Sequence, residues 1–147
     1  MIEYNTFKKL WEENEDQLPL LTLDEFFVDN EEEEDSLAPN QWEEGRPALV
    51  EIWHILQKLE TTPEIAWVRV ALHDDTEIDE EEETLILAGD SILLCTKLTQ
   101  EELENLIDCQ QLCSDGILKM EFSELDEIYS RIPSIPERFH CFEIVWD

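Results

Sequence analysis

Carboxylates are the reactive side chains that this sequence supplies in quantity, and two segments concentrate them. Residues 74 to 84 read DDTEIDEEEET, holding Asp74, Asp75, Glu77, Asp79, Glu80, Glu81, Glu82 and Glu83 with no Lys or Arg between them. Glu31, Glu32, Glu33, Glu34 and Asp35 form a second run. General acid/base chemistry needs two carboxyl groups in different environments, and a solvated run gives all its members the same one. What a run does provide is negative potential, which speeds encounter with a cationic protein and repels acidic competitors. Trp42, set among acids in NQWEEG, suits the aromatic anchor of such an interface.

Other reactive patterns are thin. Only Gly45, Gly89 and Gly116 are present, so there is no glycine-rich phosphate cradle, and no serine sits in a G-x-S-x-G turn. Cys109 and Cys113 lie one helical turn apart, and His140-Cys141 would complete four soft ligands. Adjacent residues on a strand point to opposite faces, however, so His140 and Cys141 reach one ion only across a bulge, and no metal site is assigned. Asp75, Glu77 and Asp79 alternate as in a calcium loop, but Glu80 and Ile86 stand where its glycine and bidentate glutamate belong. His54, His73 and His140 fit packed or surface positions. The expectation is a protein with no catalytic residues and no cofactor.

The charge is not confined to the runs. The 147 residues carry 39 acids and nine bases, for a net charge of −30. Taking away the thirteen acids of the two runs leaves 26 against nine, still −17. Nucleic acid and anionic membranes are disfavoured as partners, because phosphate binding needs Lys and Arg clusters. A basic protein is favoured. Hydrophobic residues make up 42 % of the chain, with five Trp and six Phe, which suits a packed core. The amphipathic start, the absence of a long apolar stretch and four cysteines read as thiols (Cys95, Cys109, Cys113, Cys141) give a cytoplasmic expectation.

The elements that must position these groups follow from periodicity. Tyr4 to Asn14 has Phe7, Leu10 and Trp11 at helical spacing, and TLDEFFVD offers Thr22 and Asp24 as caps for a short helix. Residues 29–41 read as an acidic loop. Arg46 to Glu60 reads as a helix with Pro47 in its first turn and a stripe of Leu49, Ile52, Trp53, Leu56 and Leu59. In IAWVRVALH, Ala66, Val68, Val70 and Leu72 are expected on one strand face, and Trp67, Arg69, Ala71 and His73 on the other. The acidic loop 74–83 then leads to TLILAGDSILLCTKL, two strands turning at Gly89-Asp90. Thr99 and Glu102 form a capping box, ILKMEF reads as a strand, Ser123 caps a further helix running through Tyr129 and Ile132, and RFHCFEIVW ends the chain as a strand. The expected fold is α+β, a single acidic domain over 1–147 whose mainly antiparallel sheet joins a meander at 65–97 to the C-terminal strand.

Taken whole, the YNTFKKLWEEN opening, the acidic segments, the GRPALVEIWHILQKLE helix and the FHCFEIVWD ending resemble the immunity proteins of bacterial polymorphic toxins, including those paired with LXG-type toxins. That resemblance implies a cytoplasmic antitoxin that binds and blocks one toxin domain, often a nuclease. A DNA mimic that occupies a DNA-binding protein, and a non-catalytic adaptor, are the alternatives.

Overall fold

The computed structural model describes residues 1–14 and 17–146. Helix α1 (Tyr4–Glu13) buries Phe7, whose ring meets Trp11 edge-on at 5.8 Å, and Asn14 closes it by donating to Leu10 O at 2.7 Å. After the two-residue strand β1 (Leu18–Pro19) comes α2 (Leu23–Phe27). The Thr22 hydroxyl accepts from the Glu25 amide, and the Glu25 carboxylate accepts from the Thr22 amide, so two orphan donors of a five-residue helix are satisfied. A 3-10 turn at Glu34–Ser36 and the single turn α3 (Pro39–Trp42) precede α4 (Leu49–Glu60). In α4, Leu49, Ile52, Leu56 and Leu59 are buried and Trp53 is half-buried, stacked on Phe27 at 5.9 Å.

The chain continues through β2 (Ile65–Leu72), the short strands β3 (Glu77–Asp79) and β4 (Thr84–Ile86), and β5 (Gly89–Thr96). Then follow α5 (Gln100–Leu106), α6 (Cys109–Leu112), β6 (Gly116–Met120), α7 (Phe122–Ile128), β7 (Tyr129–Ser130) and β8 (His140–Val145). The main sheet has the order β2-β5-β8-β6, antiparallel throughout, with the C-terminal strand β8 inserted between β5 and β6. Beside it, β1 pairs in parallel with β7, and Leu21 exchanges backbone hydrogen bonds with Val70 along β2. One face of the sheet presents Val68, Val70, Ile92, Leu94, Phe142 and Ile144, all buried. The other presents Trp67, Leu93, Cys95 and Cys141, also buried, and the stretch after β7 crosses it, with Ser134 O accepting from the Trp67 indole at 3.1 Å. Burial on both faces explains why these strands read as nearly continuous apolar runs.

The fold is α+β with a mainly antiparallel sheet, as the sequence predicts. Several local expectations need correction. Helix α4 starts at Leu49, so Arg46 and Pro47 lie before it, and Arg46 is buried. A register shift between Ile65 and Trp67 leaves Ala66 exposed, breaking the alternation expected for that strand. Gly89-Asp90 is not a turn: Gly89 opens β5, pairs with Leu72, and has no positive φ. A Cβ there would sit 3.0 Å from Leu37 Cδ1 and 3.1 Å from Phe26 Cζ, so the glycine serves close packing. Strand β4 pairs with β3 instead of β5. Ser123 lies inside α7, which Glu121 precedes without a side-chain cap, and Tyr129 leaves the helix for β7.

Candidate functional site: two folded acidic segments

The first acidic segment is built around one buried cation. Arg46, 2 % exposed, donates to the carbonyl oxygens of Glu34 (2.9 Å), Leu37 and Pro47 (3.0 Å), and its guanidinium pairs with the Glu34 carboxylate. The same Glu34 Oε1 accepts from the Leu49 amide at 3.0 Å, so a member of the acidic run caps α4. Burial draws the Arg46 guanidinium below its usual value, and Glu34 leads the charges that oppose this. Beneath the run, Ser36 is buried with its hydroxyl 3.4 Å from Asn30 Oδ1, and Leu37, fully buried, bridges in parallel to Gly89. Glu34 therefore faces inward. Glu32, Glu33 and Asp35 remain exposed and Glu31 is half-buried. Trp42 is 40 % exposed, with the Arg46 guanidinium over its ring at 4.8 Å.

The second segment is a β-hairpin, more ordered than the loop expected from its charge. Its base is clamped where His73 N donates to Ala88 O (2.7 Å) and buried Thr76 both donates to Ala88 O and accepts from Ala88 N. Register pairs Glu77 with Ile86, Ile78 with Leu85 and Asp79 with Thr84. Leu85 is buried and Ile78 half-buried on one face; Glu77, Asp79, Thr84 and Ile86 are exposed on the other. At the tip, Asp79 Oδ1 accepts from the amides of Glu81 (3.0 Å) and Glu82 (3.1 Å), and Glu83 takes φ +52° to reverse the chain. Lys8 of α1 reaches Glu80 at 3.6 Å, and Glu80 foremost raises the Lys8 ammonium above its ordinary value.

The two segments meet. Asp35, Asn40 and Gln41 of the first and His73 and Asp75 of the second line one cleft of about 330 Å³, together with Asp90 and Trp146. Of the sequence-predicted residues, Asp35 and Asp75 share this cleft, and Asp74 is exposed beside it in sequence. Glu77, Asp79, Glu80 and Glu81 border a separate shallow hollow on the hairpin, while Glu82 and Glu83 are exposed at its tip. Sequence reasoning missed Asp90, Trp146 and Arg46. A signal for Arg46 existed: no Lys or Arg stands between Lys9 and Arg46.

The four soft ligands considered from sequence separate in the fold. Cys141 lies opposite Cys95 across the β5–β8 ladder, while Cys109 and Cys113 bound α6. Among the described residues, no group of three or more His, Cys, Asp or Glu side chains is arranged to hold a metal. No helix among them is long and apolar enough to cross a membrane.

Fold and site together define an acidic α+β domain that presents two ordered carboxylate segments. Residues 2–144 match the Uncharacterized protein YfbO family, and the chain belongs to that family. Neither the curated proteins nor the solved structures yield a match.

Proposed function

We propose that this chain is a non-catalytic inhibitor of a basic protein, acting as a cytoplasmic immunity protein that occludes a toxin domain, best pictured as a nuclease with a positive cleft. The observation that carries the reading is the anchoring of both acidic segments to the fold, the first by Arg46 and the Leu37–Gly89 bridge to β5, the second by the Thr76–Ala88 clamp at the hairpin base. Carboxylates already fixed by the fold meet a cationic surface without the ordering cost that a mobile acidic tail incurs. Their field also accelerates encounter and excludes acidic competitors. Exposed Glu32, Glu33 and Asp35, with half-buried Glu31 among them, form one contact, and the segment from Asp74 to Glu83 the other, with exposed Trp42 as an anchor beside the first.

The test is capture from extract of the native cell at low salt, followed by identification of bound proteins and assay of their activity. The expected result is one strongly basic protein, released by salt, whose toxic or nucleolytic activity falls in proportion to added chain. Capture of acidic proteins only, insensitive to salt, overturns the reading.

A further inference from the structure

Cys95 and Cys141 stand directly opposite each other on the neighbouring antiparallel strands β5 and β8, both buried and both free thiols. We propose that this pair is a peroxide-reactive dithiol, a modification site in which a small peroxide converts the two thiols into a disulfide that ties the C-terminal strand to β5. Opposed residues of an antiparallel pair hold their Cβ atoms about 4.5–5.5 Å apart, and a disulfide needs about 3.5–4.5 Å, so closure asks for roughly an ångström of strand movement. The fold puts no other residue between the two sulfur-bearing carbons, since they share one face of adjacent strands.

The chemistry assigns unequal roles. The hydrogen bond from Cys95 holds the Cys141 thiol below its ordinary value against the opposing effect of burial. That same bond, with burial, pushes Cys95 up. Cys141 also keeps a trace of solvent exposure where Cys95 has none, so it is the thiol that a peroxide reaches first and the nucleophile. Its sulfur attacks one peroxide oxygen, the O–O bond breaks, and the departing oxygen leaves as water, giving a sulfenic acid on Cys141. The Cys95 sulfur then attacks the Cys141 sulfur, the S–O bond breaks, and the Cys95 proton leaves with a second water. The dithiol loses two electrons and two hydrogens, and the peroxide gains them. Cys109 and Cys113 lie apart from this pair, bounding α6.

The test treats the folded full chain with hydrogen peroxide, then unfolds it in the presence of an alkylating agent and maps the peptides. A Cys109→Ser/Cys113→Ser variant is run beside the unaltered chain to remove competing thiols. The expected product lacks two hydrogens, links the Cys95 and Cys141 peptides, resists alkylation at both, reverts with a dithiol reductant and unfolds at a higher temperature. In Cys95→Ser, oxidation at Cys141 should proceed to sulfinic acid without a link. Alkylation of both Cys95 and Cys141 after peroxide, or over-oxidised Cys141 in the chain that retains Cys95, overturns the proposal. Binding of the basic partner plays no part in these readouts, so this result stands or falls apart from the function proposed above.

Discussion

The Arg46 guanidinium and the Glu34 carboxylate are the joint between the acidic surface and the core: Arg46 is sealed from solvent, and Glu34 spans from it to the first amide of α4. Removing either partner strands the other, which for a buried pair costs about 3–5 kcal/mol. Arg46→Met and Glu34→Gln should each lower stability toward that range, measured by urea unfolding. Because they share one interaction, the double variant should cost less than the sum by about 1–3 kcal/mol. Glu32→Gln and Glu33→Gln, on exposed neighbours, should stay within about 0.5 kcal/mol of the parent. Additive losses at Arg46 and Glu34 would contradict their coupling.

Gly89 tests the contact between the first acidic segment and the sheet. An added methyl meets Leu37 Cδ1, Phe26 Cζ and Ser36 O, at 3.0, 3.1 and 3.2 Å, and the last is backbone. Gly89→Ala should therefore cost about 1–3 kcal/mol from overpacking. It should also raise amide exchange at residues 34–37. A neutral substitution would mean that the loop yields freely.

Glu143 gives a pH signature. Burial pushes its carboxyl above the ordinary glutamate value, the hydrogen bond from Ser91 at 2.7 Å opposes this, and Asp90 adds to it. A folded-state value above the unfolded one contributes stability below the unfolded pKa, and that stability is lost as pH rises through the folded pKa. Near neutral pH the ionised carboxylate is thus a burden. Glu143→Gln should raise the thermal midpoint near neutrality, with the gain fading below the ordinary glutamate range. An equal effect at both pH values would contradict the assignment.

Legibility in the sequence tracked the range of the interactions. The Thr22–Glu25 and Thr99–Glu102 capping boxes each act across three residues; the second is legible as a box in the sequence, and at the first the sequence offers Thr22 as a cap without its partner Glu25. The apolar stripe of α4 was equally local, although its start was misplaced because Arg46 is recruited by a loop twelve residues upstream. Gly89 looked like a turn because its backbone freedom is written in the sequence and its neighbours Leu37 and Phe26 are not. The hairpin was hidden by its own charge: Ile78 and Leu85 supply the inward positions, but acids dominate the composition around them. The insertion of β8 between β5 and β6, and with it the Cys95–Cys141 contact, depends on pairings that no local pattern encodes.

The most direct measurement of the central claim is the association rate with the basic partner captured from extract, followed from low to high salt. The comparison is with a variant carrying Glu81→Lys, Glu82→Lys and Glu83→Lys. These exposed tip residues are chosen because Asp79 holds the turn and Glu80 pairs with Lys8. The account predicts a parent rate that falls steeply with salt, and a variant at least about tenfold slower at low salt with a flatter dependence. Equal rates and equal salt slopes for the two proteins would contradict it.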